Sequence, residues 1–108
     1  SRNPEDGLIN FFKKKEDVHN LIRACKSKSF GAFCYLREKK IIILESSIKK
    51  NRKFEGIIPG RITQIYKNGN IDCLCKNGPI TVKKIFYKNK IMKPSKIIKS
   101  TRDTLLND

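Results

Sequence analysis

The residues of this sequence that could do chemistry are mostly cations, and they form two groups. The first group is an irregular basic segment, and the second lies on and after a predicted strand. No aspartate or glutamate occurs between Cys73 and Arg102. Cationic side chains at this density neutralise phosphates and release their counterions. The candidate nucleic-acid-binding residues are Lys49, Lys50, Arg52, Lys53, Lys83, Lys84, Lys88, Lys90 and Lys93.

Two aromatic residues stand among the second group of lysines. One of Phe86 and Tyr87 could stack on an exposed base. Successive strand residues point to opposite faces, so one of the two must be buried. We expect Phe86 to pack in the core.

No catalytic or metal-binding constellation accompanies the lysines. His19 is the single histidine, and no nucleophile and carboxylate stand at a spacing that would make a triad with it. The 4 cysteines lack the paired spacing of a zinc site. We therefore predict no catalytic residue and no metal ligand in this chain. Its cysteines are expected to be reduced core residues.

Composition favours a single domain with an anionic partner. The chain has 108 residues and a formal net charge of +15, more than solubility requires. A polyanion is the obvious partner, and a lysine-rich but merely solvated surface is the alternative. The sequence has no apolar run long enough to cross a bilayer and no signal peptide at its start, so we expect a soluble, cytoplasmic protein with no membrane partner.

One helix organises the elements that must position these residues. Val18, Leu21, Ile22 and Cys25 recur at helical spacing, which predicts an amphipathic helix over 16–25. Glu16 and Asp17 are expected at its first turn or as its N-cap. Residues 1–10 have few apolar side chains, which is typical of a linker, and Ile9, Phe11 and Phe12 then offer an apolar anchor.

The remainder of the chain alternates short strands with turns. The predicted strands are 30–36, 41–44, 61–66, 71–75 and 80–87, with turns at Lys39-Lys40, Asn68-Gly69 and Asn77-Gly78. Pro94 and Ser95 then predict a final helix with Ile97, Ile98, Thr101 and Leu105 on one stripe. This pattern predicts a mainly β fold: a five-stranded, OB-like Greek-key barrel with an N-terminal and a C-terminal helix.

Five short motifs, in order, resemble the carboxy-terminal domain of the formyltransferase family. They are Leu21-Ile22-Arg23-Ala24, Gly31-Ala32, Pro59-Gly60-Arg61-Ile62, Asn77-Gly78 and Asn89-Lys90-Ile91-Met92. The chain departs from the family pattern at Phe30, where members have proline, and at Asn77, where they have an acidic residue. It also departs at Ile91, where members have a second lysine.

The resemblance implies that the protein has two domains with different roles. Residues 1–12 would be the seam from a catalytic domain of the same chain, and residues 13–108 the OB-like domain. The family transfers a formyl group from 10-formyltetrahydrofolate on the catalytic domain, so the part seen here would be non-catalytic. In methionyl-tRNA formyltransferases the carboxy-terminal domain helps to hold the initiator tRNA, which makes tRNA the implied partner.

Two other functions fit the same sequence. The chain could be an accessory domain of a sugar-nucleotide N-formyltransferase, in which the lysines would be solvated and incidental. It could also be a free-standing OB-like binder of single-stranded nucleic acid. The absence of tryptophan and the presence of only 3 tyrosines disfavour that last function.

Overall fold

A computed structural model of the chain describes residues 4–26, 31–49 and 58–108. Single 3-10 turns occur at Pro4–Gly7 and Pro94–Lys96. The regular elements of this part of the chain are α1 (Lys15–Cys25), β1 (Ala32–Leu36), β2 (Lys39–Ile48), β3 (Ile62–Ile65), β4 (Ile71–Cys75), β5 (Gly78–Tyr87) and β6 (Lys90–Met92).

The strands form one antiparallel sheet in the order β1-β2-β5-β4-β3. Strand β5 pairs with two strands along the same edge. Its first half pairs with β4, and its last residues pair with β6. One face of the sheet carries Ile41, Ile43, Ile71, Cys73 and Ile80, all buried. Helix α1 packs against this face, which makes the core. The predicted mainly β architecture is confirmed.

Helix α1 covers the predicted helix almost residue for residue. Val18, Ile22 and Cys25 are buried, as their spacing predicts. Glu16 and Asp17 lie in the first turn, but neither caps the helix. The Lys15 amide donates instead to Oδ1 of Asn77 at 2.7 Å, and the Asn77 side-chain amide donates to Glu16 Oε1 at 2.9 Å. This side-chain hydrogen bond is the main reason that the pKa of Glu16 lies below its ordinary value.

The cysteines are buried free thiols, as predicted. Cys25, Cys34, Cys73 and Cys75 are all unpaired and inaccessible. Burial raises the pKa of the Cys34 and Cys75 thiols to about 12, and that of Cys73 well above its ordinary value. These side chains act as small apolar groups in the core.

The β-hairpins differ from prediction where no Asn-Gly pair marks the turn. The turn predicted at Lys39-Lys40 lies at Arg37-Glu38, whose φ angles are 46° and 70°. Strand β6 was missed altogether, because its turn is Lys88-Asn89, with φ angles of 50° and 63°. Two successive positive φ angles match the twist of a two-residue hairpin, and neither turn supplies the glycine that usually signals it.

The predicted C-terminal helix is wrong. Only Pro94–Lys96 form a 3-10 turn, and residues 103–106 are extended. The Ile62 amide donates to the Asp103 carbonyl, and the Leu105 amide donates to the Gly60 carbonyl at the edge of β3. The Leu106 and Tyr35 backbones exchange two hydrogen bonds at the edge of β1. Pairing with two strand edges satisfies more backbone groups than a short helix would.

The five-stranded closed barrel is also not found. There are six strands, and within the described residues β1 and β3 do not pair with each other. Both instead hydrogen-bond to residues 103–106, which thus connect the two edges of the sheet. Gly60 permits this approach: its φ angle is +89°, and a Cβ there would collide with the Leu105 carbonyl.

Candidate nucleic-acid interface

Six of the nine predicted binding residues lie in the described part of the chain, just after β2, on β5 and around β6. They are Lys49, Lys83, Lys84, Lys88, Lys90 and Lys93. Lys50, Arg52 and Lys53 lie outside the described residues.

Lys49 is anchored at the end of β2 by a chain of hydrogen bonds. Its ammonium donates to the Tyr66 hydroxyl at 2.6 Å and lies 4.4 Å from the centre of the Tyr66 ring. The Tyr66 hydroxyl donates to Asp72 Oδ2 at 2.6 Å, and Thr81 Oγ1 donates to Asp72 Oδ1 at 2.7 Å. Asp72 is fully buried, so its carboxylate needs these donors. The network fixes an exposed lysine to the sheet.

Lys93 connects the segment after β6 with the turn between β3 and β4. Its ammonium donates to Asn70 Oδ1 at 2.7 Å. The Ser95 amide donates to the Gly69 carbonyl, so the two segments are also joined through their backbones. A Cβ on Gly69 would lie 2.8 Å from the Lys93 Cβ, which explains the need for glycine in this turn. Lys93 therefore lies between β6 and the Tyr66 network.

Lys83 and Lys84 sit where the pairing of β5 with β2 is irregular. The register shifts between Ile43 and Glu45 and again between Glu45 and Ser46. Lys84 faces Glu45, and its ammonium lies 3.7 Å from Oε2 of that carboxylate. Lys83 is half-buried. Of the two, Lys84 is partly neutralised by an acidic neighbour.

Lys88 and Lys90 flank the tight turn between β5 and β6. Both are exposed, and the Lys88 ammonium lies 5.6 Å from the centre of the Tyr87 ring. Within the described residues, the salt bridges join Lys84 to Glu45 and Arg37 to Asp103. In that part of the chain, Lys49, Lys83, Lys88, Lys90 and Lys93 thus have no ion-pair partner. We give the name basic surface to Lys49, Lys88, Lys90 and Lys93, which lie on segments that hydrogen bonds connect.

A groove adjoins the basic surface at β6 and contains residues that sequence reasoning missed. Its volume is about 710 Å³, and we call it the β6 groove. It is lined by Tyr87, Lys88, Lys90, Ile91, Met92, Lys96 and Ile97. We predicted Lys96 and Ile97 to lie on a helix that does not form, and sequence reasoning had no basis for placing them beside β6.

The two aromatic residues of β5 are placed differently from our expectation. Tyr87 packs against the edge of the core and lines the β6 groove. Phe86, which we expected in the core, is half-buried and lies across from Ile42 and Ile91. Ile85 takes the fully buried position instead, because the irregular pairing at Lys83 and Lys84 shifts the inward-facing positions of β5.

His19, the single histidine of the chain, lies on α1 next to β2. His19 Nδ1 lies 2.7 Å from the Ser46 hydroxyl, and burial, with Arg23 as a smaller cause, lowers the pKa of His19. Among residues 4–26, 31–49 and 58–108, no three His, Cys, Asp or Glu side chains are grouped as metal ligands would be. In the same ranges, no helix has the length and apolarity to span a membrane.

Comparison with known proteins shows a family and a solved structure to which this chain is similar. The chain matches the family model described as "Formyl transferase, C-terminal domain" over residues 2–102. Its fold is similar to a crystal structure of a variant of HypX from Aquifex aeolicus, with a TM-score of 0.73 and 11% sequence identity. That match covers 94% of this chain and 18% of the HypX chain, so the present chain spans a small part of that protein's length.

Proposed function

Because this chain belongs to the family of formyl transferase C-terminal domains, we propose that it is the tRNA-holding domain of an enzyme similar to methionyl-tRNA formyltransferases. In this proposal, a catalytic domain of the same chain transfers the formyl group to the amine of the aminoacyl group. The present domain binds the RNA and positions its aminoacyl end for that reaction.

The observation that carries the proposal is the basic surface. Lys93 bonds to Asn70, the Tyr66 amide donates to the Asn70 carbonyl, and the Tyr66 hydroxyl accepts from Lys49. This series connects Lys49 through Lys93 to the segment that carries Lys90 and Lys88. Cations without carboxylate partners are the ones that gain most from contact with phosphates.

The formyl donor that the family implies does not fit the residues of the β6 groove. The pterin ring of 10-formyltetrahydrofolate has several N–H donors that need carboxylate, amide or carbonyl acceptors. The β6 groove is lined by lysines, aliphatic side chains and one tyrosine, with no carboxylate or amide side chain. We therefore assign no step of formyl transfer to this groove, and in our proposal the donor binds to the catalytic domain.

Salt titration of tRNA binding tests the proposal. The affinity should fall linearly with salt on a log–log plot, and Lys88→Ala with Lys90→Ala should reduce the slope by about 2, at roughly 0.9 for each phosphate that is no longer neutralised. Lys13→Ala with Lys76→Ala is the matched control: both are exposed and lie next to each other near the start of α1. An affinity that is indifferent to salt, or equal effects of both double variants, would refute the proposal.

An assay of the parent enzyme separates this function from the sugar-nucleotide alternative. It would be given charged initiator tRNA and, separately, an amino-sugar nucleotide as formyl acceptor. The proposal expects turnover of the tRNA and loss of that turnover in the Lys88→Ala, Lys90→Ala variant. Turnover of the amino sugar alone, with no effect of the two substitutions, would make this an accessory domain instead.

A further inference from the structure

The β6 groove combines an open apolar floor with a cationic rim. Ile91 is 64% exposed, and Met92 and Ile97 beside it are half-buried. Lys88 and Lys96 lie on its rim, together with Lys90. Together Ile91, Met92 and Ile97 form an apolar patch with a polar rim, which is the arrangement of a ligand-binding groove. The groove has the volume of a site for a small organic group, ~300–1,000 Å³.

Charge distinguishes this groove from the others described. A groove beside α1 is lined partly by Asp17, and one at the edge of β1 is lined partly by Glu38 and Asp108. The β6 groove has three lysines and no acidic residue. Its occupant should therefore carry both negative charge and a flat or compact apolar group.

We infer that the β6 groove binds an unpaired nucleotide of the RNA, with the base against Ile91, Met92 and Ile97 and its phosphates on the lysine rim. The inference rests on the proposed function and adds to it a site for a splayed base. A duplex cannot lay a base on the floor, because the faces of its bases are stacked on one another and only the backbone and the base edges are exposed. Proteins that bind single strands combine a cationic groove with aromatic side chains on which bases stack, and Tyr87 is the aromatic side chain of this groove.

A protein partner fits the groove less well. The other large apolar side chains exposed within the described residues are Phe12, Ile58 and Leu106. None of them lines the β6 groove. The apolar floor around Ile91 is thus small and bordered by lysines, whereas a protein interface has a large apolar centre and few lysines.

The test compares two RNA hairpins that differ only in a 3′ overhang of four unpaired nucleotides. The full 108-residue chain should bind the overhang hairpin about tenfold more tightly than the blunt one, the range expected for packing of one base. Ile91→Ala should reduce that preference several-fold and leave the affinity for the blunt hairpin unchanged. Ile58→Ala, at a 43% exposed isoleucine outside the groove, is the matched control and should alter neither affinity.

The outcomes separate this inference from the proposed function. Salt-dependent binding of both hairpins without preference would overturn the inference and leave the proposed function standing. If neither hairpin binds, both the inference and the proposed function are refuted. If the preference for the overhang persists in Ile91→Ala, the overhang binds outside the groove and the inference is overturned. A protein partner is then the remaining occupant for the groove. In a further arm, uridine diphosphate that shifts the Ile91 methyl resonance, while the overhang RNA does not, would assign the groove to a free nucleotide.

Discussion

At the scale of single residues, Tyr66 couples a surface cation to a buried carboxylate. Its hydroxyl accepts from Lys49 and donates to Asp72, and Thr81 donates to the second oxygen of that carboxylate. A buried carboxylate is tolerated only when such donors replace its lost water. The position of Lys49 in the basic surface therefore depends on the interior of the sheet.

Tyr66→Phe should destabilise the fold, because the buried Asp72 carboxylate loses a donor. The expected loss in the free energy of unfolding is about 1–3 kcal/mol, measured by urea denaturation. Tyr35→Phe is the control, since the Tyr35 hydroxyl makes no hydrogen bond to the described residues, and it should cost less than about 0.5 kcal/mol. Equal stabilities of the two variants would contradict the role assigned to the Tyr66 hydroxyl.

His19 should make stability depend on pH near neutrality. Burial lowers its pKa below the ordinary value of 6.5, so the unfolded chain binds a proton more readily than the folded chain. The free energy of unfolding should therefore be at its plateau above about pH 7.5 and should fall as the pH drops through 6.5. His19 is the single histidine, so His19→Asn should abolish the dependence between about pH 7.5 and 5.5. A wild-type stability that rises on acidification would show that the sign is wrong.

At the scale of elements, the decisive segment is 103–106, which replaces the predicted helix. Its apolar spacing is compatible with a helix, and no local signal distinguishes the two states. The choice is made by distant partners, because the amide of Ile62 and the carbonyl of Gly60 at one sheet edge, and the backbone of Tyr35 at the other, need hydrogen bonds. Strand edges covered in this way also resist pairing with other chains.

Adjacent leucines in this segment give a direct test of its packing. Leu105 is 2% exposed and Leu106 is 46% exposed. In an extended segment successive side chains point to opposite sides, so Leu105→Ala should cost about 2–5 kcal/mol and Leu106→Ala less than about 0.5 kcal/mol. Thermal and urea denaturation of both variants measure the difference. The predicted helix would also bury Leu105, so the leucine variants alone do not distinguish a helix from an extended segment.

Gly60→Ala makes that distinction. The added Cβ would collide with the Leu105 carbonyl, so the variant should be destabilised.

At the scale of the whole molecule, the sequence pattern predicted those elements whose structure is determined by residues close together in the chain. Helix α1, the strands with Asn-Gly turns and the buried cysteines follow from periodicity and turn chemistry. The resemblance carried by five short motifs is confirmed by the family match over residues 2–102. Strand β6, the edge pairing of 103–106 and the β6 groove were missed, because each depends on which distant segments meet. Lys96 is the clearest case: it lines the groove only because the expected helix is absent.

The net charge of +15 makes a prediction that belongs to the molecule as a whole. Like charges repel more strongly in the compact state than in the unfolded chain, so the free energy of unfolding should rise as salt screens them. The Debye length falls from about 30 Å at 0.01 M to about 10 Å at 0.1 M, so most of the effect should occur in that range. A gain of about 1 kcal/mol would raise Tm by roughly 4–8 °C. Lys88→Gln with Lys90→Gln should show a smaller rise, whereas a Tm that falls with salt would mean that attractive pairs outweigh the repulsion.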